Sequence, residues 1–229
     1  MKKLLVVMVV LGMTSAVYAW EGPILIGDWE QSLDGWTSWN SNNSFSYSTV
    51  GVTLDNYSLR VQVNGVGSAQ DNPFYSRELN FKFLGDDRQF FLSNNKFEID
   101  VSTLASEWTH DTGAGWETTA GFRLVIICGN TTGQSMVGYL PWAEWDPVDA
   151  DVSRHLVFDY SFQREIVADW ERSGKMGEGS YIEFFIVDEF ATFTLPVVWY
   201  LDNAQLTPEP TTICLLGLGG LALLKKRGK

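Results

Sequence analysis

Cysteine and histidine are almost missing from this chain, two of each in 229 residues. His110 and His155 stand far apart with no cysteine cluster beside either, which excludes a zinc site of ordinary spacing. Cys214 lies near the C-terminus, and Cys128 ends the apolar run Leu124–Cys128. No disulfide framework is therefore available, and Cys128 reads as a buried, inert thiol. With neither histidine near it in sequence, it is no candidate nucleophile. Gly-x-Ser-x-Gly elbows and Gly-Lys-Ser/Thr phosphate loops are absent. No period of 20 to 50 residues recurs, which excludes propellers and solenoids.

Basic residues are scarce except at the two ends. Six of the 16 are Lys2, Lys3, Lys225, Lys226, Arg227 and Lys229. Between those ends stand ten bases and 28 acids, a net charge of −18. Such a field repels phosphate backbones, so nucleic acid is excluded as a partner. It favours solubility and cations. The acids are dispersed along the chain, as on a solvated surface. What holds the core must be apolar, and 14 Phe, 10 Trp and 8 Tyr are there to supply it.

The basic ends flank apolar runs. At the N-terminus Lys2 and Lys3 precede Leu4–Leu11, and Val17-Tyr18-Ala19 offers a small-residue cleavage site. Residues 1–19 read as a secretory signal peptide. At the C-terminus Pro208-Glu209-Pro210 precedes an apolar stretch, 211–224, and then Lys225-Lys226-Arg227. A membrane helix needs about 20 apolar residues to cross ~30 Å of hydrocarbon. Fourteen residues at ~1.5 Å each reach only ~21 Å, enough for a transient anchor whose basic end stays inside. This order of motif, short helix and basic end resembles the sorting signal of bacterial PEP-CTERM proteins. The resemblance implies that residues 208–229 are recognised by an exosortase, with Pro208, Glu209 and Pro210 as the motif. It implies transient insertion in the cytoplasmic membrane and delivery to the cell surface or extracellular matrix.

Residues 20–207 remain as one domain. Short stretches of period-two alternation run through it, separated by turn residues. Tyr57–Val63 alternates Tyr57, Leu59, Val61, Val63 against polar residues; Glu78–Leu84 and Lys96–Val101 do the same. Ile24–Glu30, Ser44–Val50, Gly121–Cys128, Gln134–Leu140, His155–Tyr160, Tyr181–Val187 and Val197–Leu206 complete the expected strands. One helix is expected, capped by Ser161, with Phe162, Ile166 and Trp170 as its apolar stripe and Gly174 as its stop. The fold class is all-β, an antiparallel jelly-roll-like sandwich of about ten strands with one short helix.

Trp29-Glu30, a four-residue loop and Gly35-Trp36 open this domain, and Trp199-Tyr200-Leu201-Asp202-Asn203 closes it. Both motifs resemble those of jelly-roll carbohydrate-binding modules of the galactose-binding-like group. The resemblance implies a non-catalytic module that binds polysaccharide. It also implies that the two ends meet at a structural calcium ion, with Glu30 and Asp202 as ligands and Asp28 as a further donor. Calcium takes six to eight oxygens from carboxylates and carbonyls. The competing expectation is that these acids are turn residues without a metal.

Two further constellations carry chemistry. Glu98 and Asp100 lie two apart on one strand and so face the same way. They resemble the start of the Glu-x-Asp-x-x-Glu strand of jelly-roll glucanases, but Thr103 stands where the third carboxylate belongs, and the next acid is Glu107. The solvent face of a half-buried strand is the favoured reading. Trp108 and Trp116 occupy one long loop, Ser102–Thr119, and Trp142 and Trp145 another, Pro141–Ser153. Aromatic faces there could stack on sugar rings; equally, the tryptophans could pin the loops to the sandwich, since Trp is buried on average. Trp29, Trp36 and Trp199 fall on or beside strands and are assigned to the core. Polysaccharide binding is thus the first expectation, a structural matrix protein without a discrete ligand the second, and a glycan-processing enzyme using Glu98 and Asp100 the third.

Overall fold

The structure, a computed structural model, describes residues 23–38, 43–64, 75–107, 120–130, 133–141, 143–145, 151–190 and 197–208. Eleven strands run through these residues: β1 (Ile24–Gly27), β2 (Ser44–Ser48), β3 (Ser58–Val63), β4 (Tyr75–Leu84), β5 (Lys96–Ser102), β6 (Ala120–Asn130), β7 (Gly133–Tyr139), β8 (Ala143–Trp145), β9 (Arg154–Asp159), β10 (Tyr181–Phe190) and β11 (Val197–Thr207). They form two antiparallel sheets. The first has the order β2-β3-β11-β5-β9, with β1 also on β11; the second has the order β4-β10-β6-β7, with β8 on β6. The chain is an all-β sandwich, as the alternation predicts.

The inner faces follow from that alternation. Leu59 and Val61 of β3, Phe97, Ile99 and Val101 of β5, and Trp199 and Leu201 of β11 are buried on one side. Leu79 and Phe83 of β4, Phe122, Leu124 and Ile126 of β6, and Ile182, Phe184 and Ile186 of β10 oppose them. Aromatic rings do most of the filling. Phe122 meets Trp199 edge-on with centroids 4.4 Å apart, and Phe83 meets Phe184 at 5.0 Å. Tilted and edge-to-face pairs of this kind add about 0.5–1.5 kcal/mol each beyond their area. Cys128 is fully buried, and burial pushes its thiol up to about 12, so it is inert as expected.

Several expected boundaries move. β1 stops at Gly27, three residues before Glu30, because the chain turns there: Trp29 and Asp34 take left-handed φ of 52° and 50°. Asp34 Oδ2 accepts the N–H groups of Asp28 (3.1 Å) and Trp29 (2.9 Å) and so closes this turn. β2 ends at Ser48 rather than Val50, and β3 starts at Ser58, leaving Tyr57 in the preceding loop and exposed. β8 lies inside what the sequence reads as a loop. A short 3-10 turn (Gly85–Asp87) and helix α1 (Arg88–Ser93) follow β4 and were not expected. Phe91 of α1 is buried and stacks on Tyr160 at 4.7 Å.

The expected helix is present as α2 (Ser161–Arg172), with two corrections. Ser161 is its first residue and not its cap; Asp159 Oδ1 accepts the Ser161 N–H at 2.9 Å instead. Phe162 is 71% exposed, while Val167 is fully buried and Ile166 and Trp170 are partly so. The stripe starts one residue later than expected, because Gln163 lies against Gly138 of β7 and turns Phe162 outward. Gly174 stops the helix as predicted. Its φ is 73°, and Lys175 N–H and Gly174 N–H bond the carbonyls of Trp170 and Glu171, a Schellman closure.

At the foot of β1 the two tryptophans of the opening motif are wedged together. Trp36 Nε1 donates to the Ile26 carbonyl at 2.7 Å. A Cβ on Gly27 would stand 2.7 Å from the Trp29 ring and 2.9 Å from Trp36 Nε1. Gly27→Ala is expected to overpack this wedge and cost about 1–3 kcal/mol. Urea denaturation checks it, and an unchanged midpoint would show that the rings yield freely.

Candidate functional site

Loop Ser102–Thr119 leaves β5 in one sheet and enters β6 in the other. Loop Pro141–Ser153 leaves β7, contributes β8 to the second sheet, and enters β9 in the first. Since β5 pairs with β9 and β6 with β8, the described ends of both loops lie at the same end of the sandwich. They are tied at both sides of that crossing. Asp151 N–H donates to the Thr103 carbonyl (2.7 Å), and Ala105 N–H donates to Asp151 Oδ1 (2.9 Å). On the other sheet Ala120 pairs with Trp145 in the β6–β8 ladder. Trp145 is therefore brought beside the end of the loop that carries Trp108 and Trp116. Trp108, Trp116 and Trp142 themselves lie outside the described residues, as does His110.

The sheet surface next to this crossing adds aromatic and cationic groups that the sequence reading missed. Tyr139, at the end of β7, is 52% exposed, and the Arg123 guanidinium lies 5.4 Å from its ring centroid. Further down the same outer face Glu183 is wholly buried. Its Oε1 accepts from Asn80 Nδ2 at 2.7 Å and faces Lys82 Nζ at 3.4 Å. Lys82 in turn lies over the Tyr181 ring at 4.8 Å. The alternation of Glu78–Leu84 put Asn80 and Lys82 on one outer face, but nothing in the sequence brought Glu183 or Tyr181 to it. A pocket of about 340 Å³, lined by Ile24–Asp28, Asp34, Phe81, Asp87 and Phe90, lies at the other end of the sandwich, away from the crossing loops.

Glu98 and Asp100 occupy the outer face of β5, as expected of a half-buried strand. The β5–β9 register sets His155 opposite Asp100. His155 Nδ1 is 2.7 Å from Asp100 Oδ1, and Nε2 is 3.2 Å from Glu98 Oε2. Burial opposes charge on this ring, but the bond to Asp100 and the charges of Asp100 and Glu98 outweigh it and raise its pKa. Thr103, where a third carboxylate would stand, is buried and its hydroxyl donates to the Val198 carbonyl at 2.8 Å. Glu107 is engaged elsewhere: it faces Arg60 at 3.2 Å and accepts from the Tyr200 hydroxyl at 2.5 Å.

Glu30 and Asp202 reach one loop, residues 52–57, from opposite ends. Glu30 Oε1 accepts from the N–H groups of Asn56 and Tyr57, both at 2.6 Å, and Oε2 accepts from Asn56 Nδ2 at 3.2 Å. Asp202 Oδ2 accepts from the N–H groups of Thr53 (2.6 Å) and Leu54 (2.8 Å), and Oδ1 from Asn203 N–H (2.8 Å). Asp28 Oδ1 accepts from Glu30 N–H at 3.1 Å. A calcium ion needs oxygen lone pairs around it. Here the loop turns N–H hydrogens toward both carboxylates, and these bonds take the lone pairs that the ion would need. Among the described residues no three His, Cys, Asp or Glu side chains converge to hold a metal.

Residues 206–227 match the family model described as the PEP-CTERM protein-sorting motif. A sorting motif of this kind indicates an exported protein. Pro208 is described, whereas Glu209, Pro210 and the segment 211–229 lie outside the described residues. Among those that are described, no helix is long and apolar enough to cross a membrane. No curated protein matches the chain. Among solved structures, a xylan-binding domain of carbohydrate-binding module family 22 is similar at 13% identity, covering 83% of this chain and 97% of that one, with a TM-score of 0.49. The C-terminal family 22 module of Clostridium thermocellum Xyn10B is similar at 13% identity over 80% of this chain and 91% of that one, TM-score 0.46. The CBM27-1 module of Caldicellulosiruptor saccharolyticus, solved with mannohexaose, is similar at 13% identity over 83% and 99%, TM-score 0.46.

The tie between the loops is open to direct test. Asp151 has a left-handed φ of 66°, so Asp151→Gly removes the side chain without straining the backbone. The variant is expected to lose about 0.5–1.5 kcal/mol and to unprotect the Ala105 amide against hydrogen exchange. Unchanged protection at Ala105 would show that the loops are held by other contacts.

Proposed function

We propose that this chain is an exported surface or matrix protein whose sandwich domain, 20–207, binds polysaccharide without processing it. The observation that supports the reading is the pair of ties, Asp151 to Thr103 and Ala105 on one sheet and Trp145 opposite Ala120 on the other, that join the described ends of the two tryptophan-bearing loops. In this reading Trp108, Trp116, Trp142 and Trp145 form a stacking platform continued by the exposed Tyr139 and by Arg123. Sugar rings offer C–H faces to aromatic rings and hydroxyls to the polar neighbours. Residues 1–19 act as the signal peptide. Residues 208–229 are the sorting signal, anchored transiently through 211–224 and processed by an exosortase.

The engagement of Glu98 and Asp100 by His155, and the burial of Thr103 in the third position, support a non-catalytic reading. Retention on a panel of immobilised neutral glycans separates binding from a purely structural role. Trp142→Ala and Trp145→Ala are expected to abolish retention with the melting temperature unchanged. Truncating a wholly buried large aromatic costs about 3–5 kcal/mol. A melting loss as large as that of Trp199→Ala, with no glycan retained by the parent, would therefore place these tryptophans in the core and overturn the proposal. Replacing Pro208-Glu209-Pro210 by alanines is expected to leave an uncleaved, membrane-associated precursor. A native mature protein whose mass still includes Lys225–Lys229 would refute processing.

A further inference from the structure

The loop between β2 and β3 folds back over the outer face of the first sheet. A Cβ on Gly51 would stand 2.3 Å from Ser102 Oγ and 2.6 Å from Tyr200 Cβ, so the loop backbone lies directly on β5 and β11. What holds it there is a continuous row of polar groups. Thr53 Oγ1 donates to Asp100 Oδ2 (2.5 Å) and lies 3.2 Å from Asp202 Oδ2. Asn203 Nδ2 also donates to Asp100 Oδ2, at 3.1 Å. Glu98 accepts from Thr207 Oγ1 (2.6 Å) and Gln205 Nε2 (3.3 Å). Asp100 and Asp202 are cross-strand partners, and both are buried.

Two buried carboxylates side by side, with Glu98 one step along the strand, repel one another when ionised, and a neighbouring cation relieves that repulsion. The charged residues of the packed elements are Arg154 and Asp159 on β9, Lys96, Glu98 and Asp100 on β5, Asp202 on β11, Arg60 on β3, which is paired with Glu107, Asp55 in the loop itself, and Glu30, which bonds it. Of these, Glu98 and Asp100 both bond the ring of His155. Ionised carboxylates only accept hydrogen bonds, and a neutral imidazole has one N–H. With a carboxylate oxygen at each ring nitrogen, the geometry is satisfied when both nitrogens carry a proton.

We propose that the loop of residues 49–57 is held on the sheet by a metal-free clamp, in which the imidazolium of His155 supplies the positive charge and Asp100, Asp202 and Glu30 take the loop's N–H and O–H groups. The clamp is then proton-dependent. His155 has a raised pKa in the folded state. A group of that kind stabilises the fold fully below its unfolded pKa, ~6.5, and the stabilisation is lost as pH rises through the folded value. Opening starts at the Thr53 and Leu54 amides and should leave the core intact.

The test uses the domain with both signals removed by the host, in buffers from mildly acidic to mildly alkaline. Melting temperature is read with EDTA and with added calcium. Protection of the Thr53 and Leu54 amides against hydrogen exchange is read alongside that of Leu124 in β6. The parent is expected to show one melting curve with EDTA or calcium. Its Thr53 and Leu54 protection factors should fall above the His155 pKa, while that of Leu124 holds. His155→Ala should show low, pH-independent protection at the loop, and His155→Gln serves where alanine fails to fold. His155→Lys, which keeps the charge, should restore protection across the range. A melting temperature that rises with calcium or falls with EDTA would overturn the metal-free clamp. A His155→Gln variant that keeps the parent's alkaline loss of protection would overturn the role of His155.

Discussion

Everything in this sandwich is arranged around β11. It pairs with β3 through residues 197–201, with β5 along most of its length, and with β1 through residues 204–206. One edge of the strand thus serves two partners in turn. On the other edge the register with β5 slips between Asp202 and Gln205, where Asn203 takes a left-handed φ of 51°. A bulge of this kind bends its strand and re-aims its side chains. Here it frees Asp202, inside the sheet, to turn both oxygens toward backbone N–H groups. A buried carboxylate is costly unless those bonds are made, and burial does raise its pKa despite them. The loop of residues 52–57 is the structure that makes them, so the bulge, the acid and the loop stand or fall together.

The same strand separates the molecule into two ends with different duties. At the lower end β1 begins, β11 finishes, and the Trp29–Trp36 wedge and the Asp34 turn close the chain. Backbone groups there are consumed by local bonds. At the upper end the connections between sheets are long, and their described ends are joined by Asp151 to Thr103 and Ala105 and by the pairing of Ala120 with Trp145. Long loops carried on a rigid frame are where binding residues are usually found. The absence of disulfides is consistent with this division, because aromatic packing between the sheets already fixes the frame.

How far the sequence reveals this structure depends on what kind of contact decides each part. The strands were legible because their inner faces alternate: Phe97, Ile99 and Val101 could point only one way against Glu98 and Asp100. Trp29, Trp36 and Trp199 were legible as core from their positions on or beside strands. Gly174 announced the end of α2. Phe162 misled because a stripe spaced by four drifts around the helix, and only the packing of Gln163 on Gly138 decides which turn faces inward. β8 and α1 are too short to show a period. The site was less legible, since its key facts are long-range: His155 meets Asp100 through a register between strands 55 residues apart, and the loop N–H groups that occupy Glu30 and Asp202 come from a segment with no motif of its own. The paired ends of the domain did signal that Glu30 and Asp202 act on a common object, and both bond the loop of residues 52–57.

Charge and the proposed ligand are compatible for a physical reason. A net charge of −18 between the basic ends, ten bases against 28 acids, acts at long range and repels anionic polymers. Stacking of a neutral sugar on an aromatic face acts at contact and is indifferent to that field. Some of the acids on the outer face are partly neutralised: Glu107 faces Arg60, and Glu98 and Asp100 face His155. The proposed platform would therefore discriminate between polysaccharides by charge before it reads their shape. Neutral chains would approach freely, while uronic-acid or sulfated chains would meet repulsion that weakens as salt shortens the Debye length, ~8 Å at physiological ionic strength.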